Sequence, residues 1–177
     1  MKVEYEVKIL DVDVKTIQMK LRKFGAKKVF DRLMRRYVYD TKPPRHNAWL
    51  RLRDDGGEVT LAYKSIDDES RIEGTKEIEV VVSDFDKLHQ LLRHIGFVHK
   101  AYQENRRVHY ELDGVCIEID FWPKIPPYVE IEGNSRKEVL AMVKKLGFGS
   151  SQTTSANTRT IFRKYGIDIY KFKELRF

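Results

Sequence analysis

Eight short segments of the chain alternate apolar and polar residues, and no other feature restricts the fold as tightly. They are VEYEVKIL, RRYVYDT, WLRLRDD, VTLAYKS, TKEIEVVV, RRVHYEL, VCIEIDF and YVEIEG. In an extended strand successive side chains point to opposite faces, so each segment has one apolar and one polar side. Glu4, Glu6 and Lys8 share a face opposite Val3, Tyr5 and Val7. The same parity puts Arg51 with Arg53, Lys64 with Thr60, Glu77 with Glu79, Arg107 with His109 and Glu111, Glu118 with Asp120, and Glu130 with Glu132. DDGGE and LDGV between successive segments are hairpin turns.

Three helices interrupt the strands. Val14, Ile17, Leu21 and Phe24 have helical spacing, with Asp11 or Asp13 as cap and Gly25 as stop. A second helix runs from a Ser83 cap through Phe85, Leu88, Leu92 and Ile95 to Gly96. A third opens on the capping box Ser135–Glu138 and stops at Gly147. Each follows a Glu-x-Glu strand, a loose strand–helix repeat. The expected fold is α+β, an eight-stranded antiparallel sheet closed into a barrel and flanked by helices, because closure removes exposed edges. One domain over residues 1–177 is expected, with 150–177 a C-terminal helical tail whose TIFRKYGIDI segment covers one barrel opening.

The polar faces carry an unusual chemistry. Solvated strand faces mix signs with Ser, Thr and Gln, whereas these positions hold same-sign pairs, which repel unless an opposite charge lies between them. Clustered carboxylates call for a divalent cation, and oxygen-only ligands select Mg²⁺ or Mn²⁺ over zinc. Clustered Lys and Arg call for a polyanion, consistent with a net charge of +7 from 34 basic and 27 acidic residues. The ligand so specified is a metal-bound chain of phosphates. A single cysteine, Cys116, excludes an internal disulfide framework. The acidic start MKVEYEVKIL is unlike a signal peptide and no apolar run reaches membrane-spanning length, so a cytoplasmic protein without membrane contact is expected.

These elements resemble the CYTH superfamily, the triphosphate tunnel metalloenzymes. EYEVK matches its ExExK signature, and YVYDT, WLRLR, LAYK, EIEV, RRVHY, CIEID and YVEIE follow in the family's order across residues 1–148. The resemblance implies a metal site of Glu4, Glu6, Asp120, Glu130 and Glu132, and triphosphate binding by Lys8, Arg51, Arg53, Lys64 and Arg107. Glu77 and Glu79, with Lys8, take the catalytic roles, the two glutamates holding a second metal or orienting the attacking water. It also implies Mg²⁺ or Mn²⁺ and a small-molecule substrate, tripolyphosphate, thiamine triphosphate or ATP. Glu118 reads as a supporting residue and His109 as a hydrogen-bonded wall position. The segment FWPKIPPY departs from the family's usual turn, and Trp122 there is read as part of a rigid loop against the barrel rather than a stacking wall. The leading function is metal-dependent triphosphate hydrolysis. A class IV adenylyl cyclase uses the same constellation, and a non-enzymatic polyphosphate or RNA-binding module would instead show exposed basic stripes interleaved with aromatics. No stable nucleic-acid partner is expected.

Overall fold

All eight alternating segments are strands. In the computed structural model, which describes residues 1–177, they are β1 (Lys2–Ile9), β2 (Lys27–Asp40), β3 (Ala48–Asp54), β4 (Val59–Ile66), β5 (Thr75–Val82), β6 (His99–Leu112), β7 (Val115–Trp122) and β8 (Ile125–Gly133). The hydrogen-bonded order is β6-β2-β3-β4-β5-β1-β8-β7, and β7 pairs back onto β6. Every pairing around this ring is antiparallel. The sheet is therefore a closed eight-stranded barrel, and the charged faces of its strands turn inward to line a lumen.

The helices are α1 (Val14–Lys23), α2 (Phe85–His94), α3 (Arg136–Lys145) and a short α4 (Thr158–Lys164). Asp13 caps α1 by accepting from the Lys15 N–H at 3.2 Å, and Ser135 caps α3 by accepting from the Glu138 N–H at 3.3 Å. Gly25 and Gly147 follow these helices at φ +76° and +83°, the left-handed conformation that ends a helix. Helices α1 and α3 cover the outer faces of β1, β7 and β8, burying Val7, Ile17, Leu21, Ile117, Ile131, Val139 and Leu146. A smaller core of Tyr39, Leu52, Phe85 and Leu92 lies under α2. The third core joins α4 to the barrel end through Trp122, Tyr128, Ile161 and Phe162. No helix is long and apolar enough to cross a membrane.

Four details differ from the sequence reading. Strands β2 and β6 are 14 residues each, twice the lengths of RRYVYDT and RRVHYEL. Their outer halves lack clean alternation and are held by cross-strand pairing such as Arg106 with Asp31 at 2.7 Å. The cap of α2 is Asp84, not Ser83, with the Asp84 carboxylate accepting from the Lys87 N–H at 2.9 Å. Starting one residue later puts Phe85 at the first helical position, where it is buried. The turn after β7 is only Pro123–Lys124, so Trp122 ends β7 while Pro126 and Pro127 lie in β8, beside a register shift where a missing N–H is tolerated. Finally, the tail adds two short strands, β9 (Thr153–Thr154) on β1 and β10 (Glu174–Leu175) parallel to β6.

Candidate active site

The lumen is a cavity of about 420 Å³. Glu4, Glu6, Lys8, Arg51, Arg53, Lys64, Glu77, Glu79, Arg107, Asp120, Glu130 and Glu132 all line it. Strand register fixes their neighbours. Lys8 lies opposite Glu130 and Glu6 opposite Glu132 across β1 and β8, Lys64 lies opposite Glu77 across β4 and β5, and Arg107 lies opposite Asp120 across β6 and β7.

Cations and carboxylates form two differently balanced regions. The Lys8 ammonium is 2.8 Å from Glu6 and 3.1 Å from Glu130. Lys64 lies 2.9 Å from Glu4 and 3.7 Å from Glu77. Arg107 grips Asp120 with two donors at 2.8 and 2.6 Å, reaches Glu130 at 3.3 Å, and also contacts Glu118. Burial alone would lower Lys8 and Arg107, but Glu130 and Glu6 around Lys8, and Asp120, Glu118 and Glu130 around Arg107, hold both well above their ordinary values. Glu130 shows the converse. Burial opposes its ionisation, yet Lys8 and Arg107 keep its carboxyl well below the usual range.

Across the lumen the balance reverses. Arg51 pairs with Glu77 at 3.1 Å and Glu79 at 3.0 Å, while Arg53 has only Glu79, at 3.4 Å. Neighbouring Arg51, burial and Arg107 push Arg53 down to about 10. Arg36 extends this cationic wall and was not singled out from the sequence. It lies opposite Arg53 in the β2–β3 register, is 8% exposed, and hydrogen-bonds to Asn105, which donates to Asp120 at 3.0 Å. Applying the two-residue period to RRYVYDT places Arg36 and Val38 on one face, so the signal was present. Gln103 and Asn105, both buried, were invisible because they lie in the half of β6 that was not read as strand.

His109 is a wall residue outside the cavity lining. Its Nδ1 lies 2.9 Å from Glu118, its ring stacks on Phe30 at 4.9 Å, and hydrogen bonds to Cys116 and Glu118 raise it to about 9. Trp122 donates through Nε1–H to the Tyr128 hydroxyl at 3.0 Å, carries the Arg36 guanidinium 4.8 Å above its ring, and meets Phe162 edge-on. It is thus built into the barrel end and offers no open platform. The tail lines that end too, through Arg159 and Arg163, while Glu69 from the β4–β5 loop accepts from Asn157 and from the Thr160 hydroxyl at 2.9 Å.

The donors fit a hard divalent cation. They are carboxylate oxygens only, and Glu132 is raised by burial and by Glu4 and Glu130, a repulsion that a cation between them relieves. In the present side-chain arrangement no three acidic or imidazole groups converge on one point, because Lys8, Lys64 and Arg107 hold Glu6, Glu4, Asp120 and Glu130.

A closed barrel whose lumen is lined by paired carboxylates and cations defines a charged tunnel. The chain belongs to the CYTH domain family, whose sequence model matches residues 2–158. The fold is shared with the PH1012 protein of Pyrococcus horikoshii (23% identity, TM-score 0.75, covering 87% of this chain and 96% of that one). It is also shared with an adenylate cyclase candidate from Vibrio parahaemolyticus (13% identity, TM-score 0.75, 92% and 98% covered). A third is the Hippeastrum adenylyl cyclase candidate HpAC1, described as having a dominant triphosphatase activity (16% identity, TM-score 0.65, 97% and 100% covered). No curated protein matches the chain.

Proposed function

We propose that this chain is a divalent-metal-dependent hydrolase of small triphosphates, inorganic or organic, bound in the lumen. The observation that carries the reading is the convergence of twelve charged side chains from seven strands on one cavity, with carboxylates and cations interleaved around its wall. Arg51, Arg53, Lys64 and Arg107 bind the phosphate oxygens and spread the charge that develops as the phosphoryl group transfers. Glu4, Glu6, Asp120, Glu130 and Glu132 hold Mg²⁺ or Mn²⁺, which when bound neutralises phosphate oxygens as a Lewis acid. Lys8, fixed between Glu6 and Glu130, places a permanent positive charge beside that set. Glu79 lies beside both Arg51 and Arg53, so with Glu77 it is placed to orient water for in-line attack on the terminal phosphorus and to take its proton. The bridging P–O bond breaks and the diphosphate portion leaves. The chain is a single functional unit, with the tail after residue 150 closing one end of its tunnel, and it acts in the cytoplasm.

The test is incubation with tripolyphosphate, thiamine triphosphate and ATP, each with Mg²⁺ or Mn²⁺, followed by product identification. Metal-dependent orthophosphate release supports the proposal. Cyclic AMP with pyrophosphate shows a cyclase instead, and anion binding with no turnover shows a binding module.

A further inference from the structure

Among the lumen cations carried by the barrel strands, Arg36 stands apart. Lys8, Arg51, Arg53, Lys64 and Arg107 each have a carboxylate oxygen within 3.4 Å, whereas Arg36 meets only the side-chain oxygen of Asn105. It is more than nine-tenths buried, and its Nε–H has no partner at all. A buried charged donor left unpaired costs free energy, so a fold keeps one where a ligand completes it. Its mounting is rigid as well. The guanidinium carbon lies over the Trp122 ring, 4.8 Å from its centre, and Asn105 tethers it to Asp120. Trp122 is itself fixed by its bond to Tyr128. A planar fork held over a ring and by one amide, with its Nε–H unpaired, matches the geometry of a phosphate group.

We propose that Arg36 is a further phosphate-binding residue of the lumen, gripping the phosphate that lies at the Trp122 end of the bound chain. The inference rests on the reading of the cavity as a triphosphate site. It assigns a direction as well: Arg36 covers the Trp122 ring that would otherwise stack a base or other ring, so this end of the tunnel takes phosphate, and any organic group points the other way. The neighbouring charges agree, since burial with Arg51, Arg53 and Arg107 lowers Arg36 to about 9, a repulsion that an anion removes.

The experiment is calorimetric titration with tripolyphosphate of the full chain and of Arg36→Gln and Arg36→Lys. Each is titrated in EDTA; in Mg²⁺, where turnover replaces equilibrium binding, the apparent KM for tripolyphosphate is read instead. The comparison is made where the wild type has the higher affinity. Affinity lower by about tenfold or more in Arg36→Gln, partly restored in Arg36→Lys, supports the assignment. Affinity within about twofold of wild type in either folded variant overturns it, because a merely structural arginine leaves anion affinity in place. If Arg36→Gln does not fold, Arg36→Lys carries the test alone, since it keeps the charge and loses the fork. Wild-type protein that binds no tripolyphosphate in either buffer overturns the triphosphate reading itself, which separates the two failures.

Discussion

Arg107 and Arg53 face the same cavity from the two strands that flank β2, and live in opposite circumstances. Arg107, on β6, is surrounded by Glu118, Asp120 and Glu130, and its charge is held far more firmly than in water. Arg53, on β3, shares Glu79 with Arg51 and is pushed down to about 10 by its cationic neighbours. The first is a node that neutralises three buried carboxylates. The second carries charge that the fold itself does not satisfy. The lumen therefore contains one wall that is electrostatically complete and one that waits for an anion.

The sharpest way to break this distinction is to remove each arginine. Arg53→Ala is expected to reduce kcat/KM for the best triphosphate by about 100- to 1,000-fold, the range seen when one charge-stabilising donor is lost from an active site. Its melting temperature should stay near that of the wild type, because the lost contact is a single 3.4 Å pair offset by relieved repulsion. Arg107→Ala should also abolish activity, but it leaves three buried carboxylates uncompensated and should cost about 3–5 kcal/mol of stability in denaturant unfolding. Equal stability of the two variants would erase the contrast between the walls.

A second contrast runs through a single strand. On β8, Val129 and Ile131 are fully buried against α3 and the outer core, while Glu130 between them faces the lumen. Ile131→Ala should cost about 2–5 kcal/mol through cavity formation, and kcat/KM per folded molecule should hold. Lost activity with preserved folding would show that the outer core shapes the site directly.

The legibility of the two sides in the sequence follows the same line. Period-two alternation in YVEIEG, VCIEIDF and EYEVK assigned both faces, since a one-residue slip would bury charge in the apolar core. That is why twelve lumen residues and the closed barrel could be read from alternation plus the resemblance. The outer halves of β2 and β6 were not legible, because residues such as Lys27, Lys28, Asp31 and Arg32 are held by strand pairing rather than by their own pattern. Arg36 was legible and overlooked, masked by the adjacent Arg35, whose side chain turns outward to Asp54 and Asp86. The docking of α4, through Phe162 against Trp122, depends on tertiary contacts that no local pattern encodes.

The smallest expected effect tests the complete wall from its far end. His109 bonds Glu118, which also contacts Arg107, so its charge helps balance the carboxylates on that side. Hydrogen bonds to Cys116 and Glu118 raise it from the ordinary 6.5 to about 9. A group whose folded-state value is raised contributes stability fully below the unfolded value and loses it as pH climbs through the folded one. His109 should therefore stabilise the protein at pH 6, and that contribution should fade between about pH 6.5 and 9, by at most about 3 kcal/mol. Chemical denaturation across that window should show the decline in the wild type and a flatter profile in His109→Gln. The apparent affinity for tripolyphosphate should change little in the variant, because His109 does not line the cavity. A wild-type profile that is flat from pH 6.5 to 9 would mean that His109 is neutral in the fold, and that Arg107 alone balances Glu118.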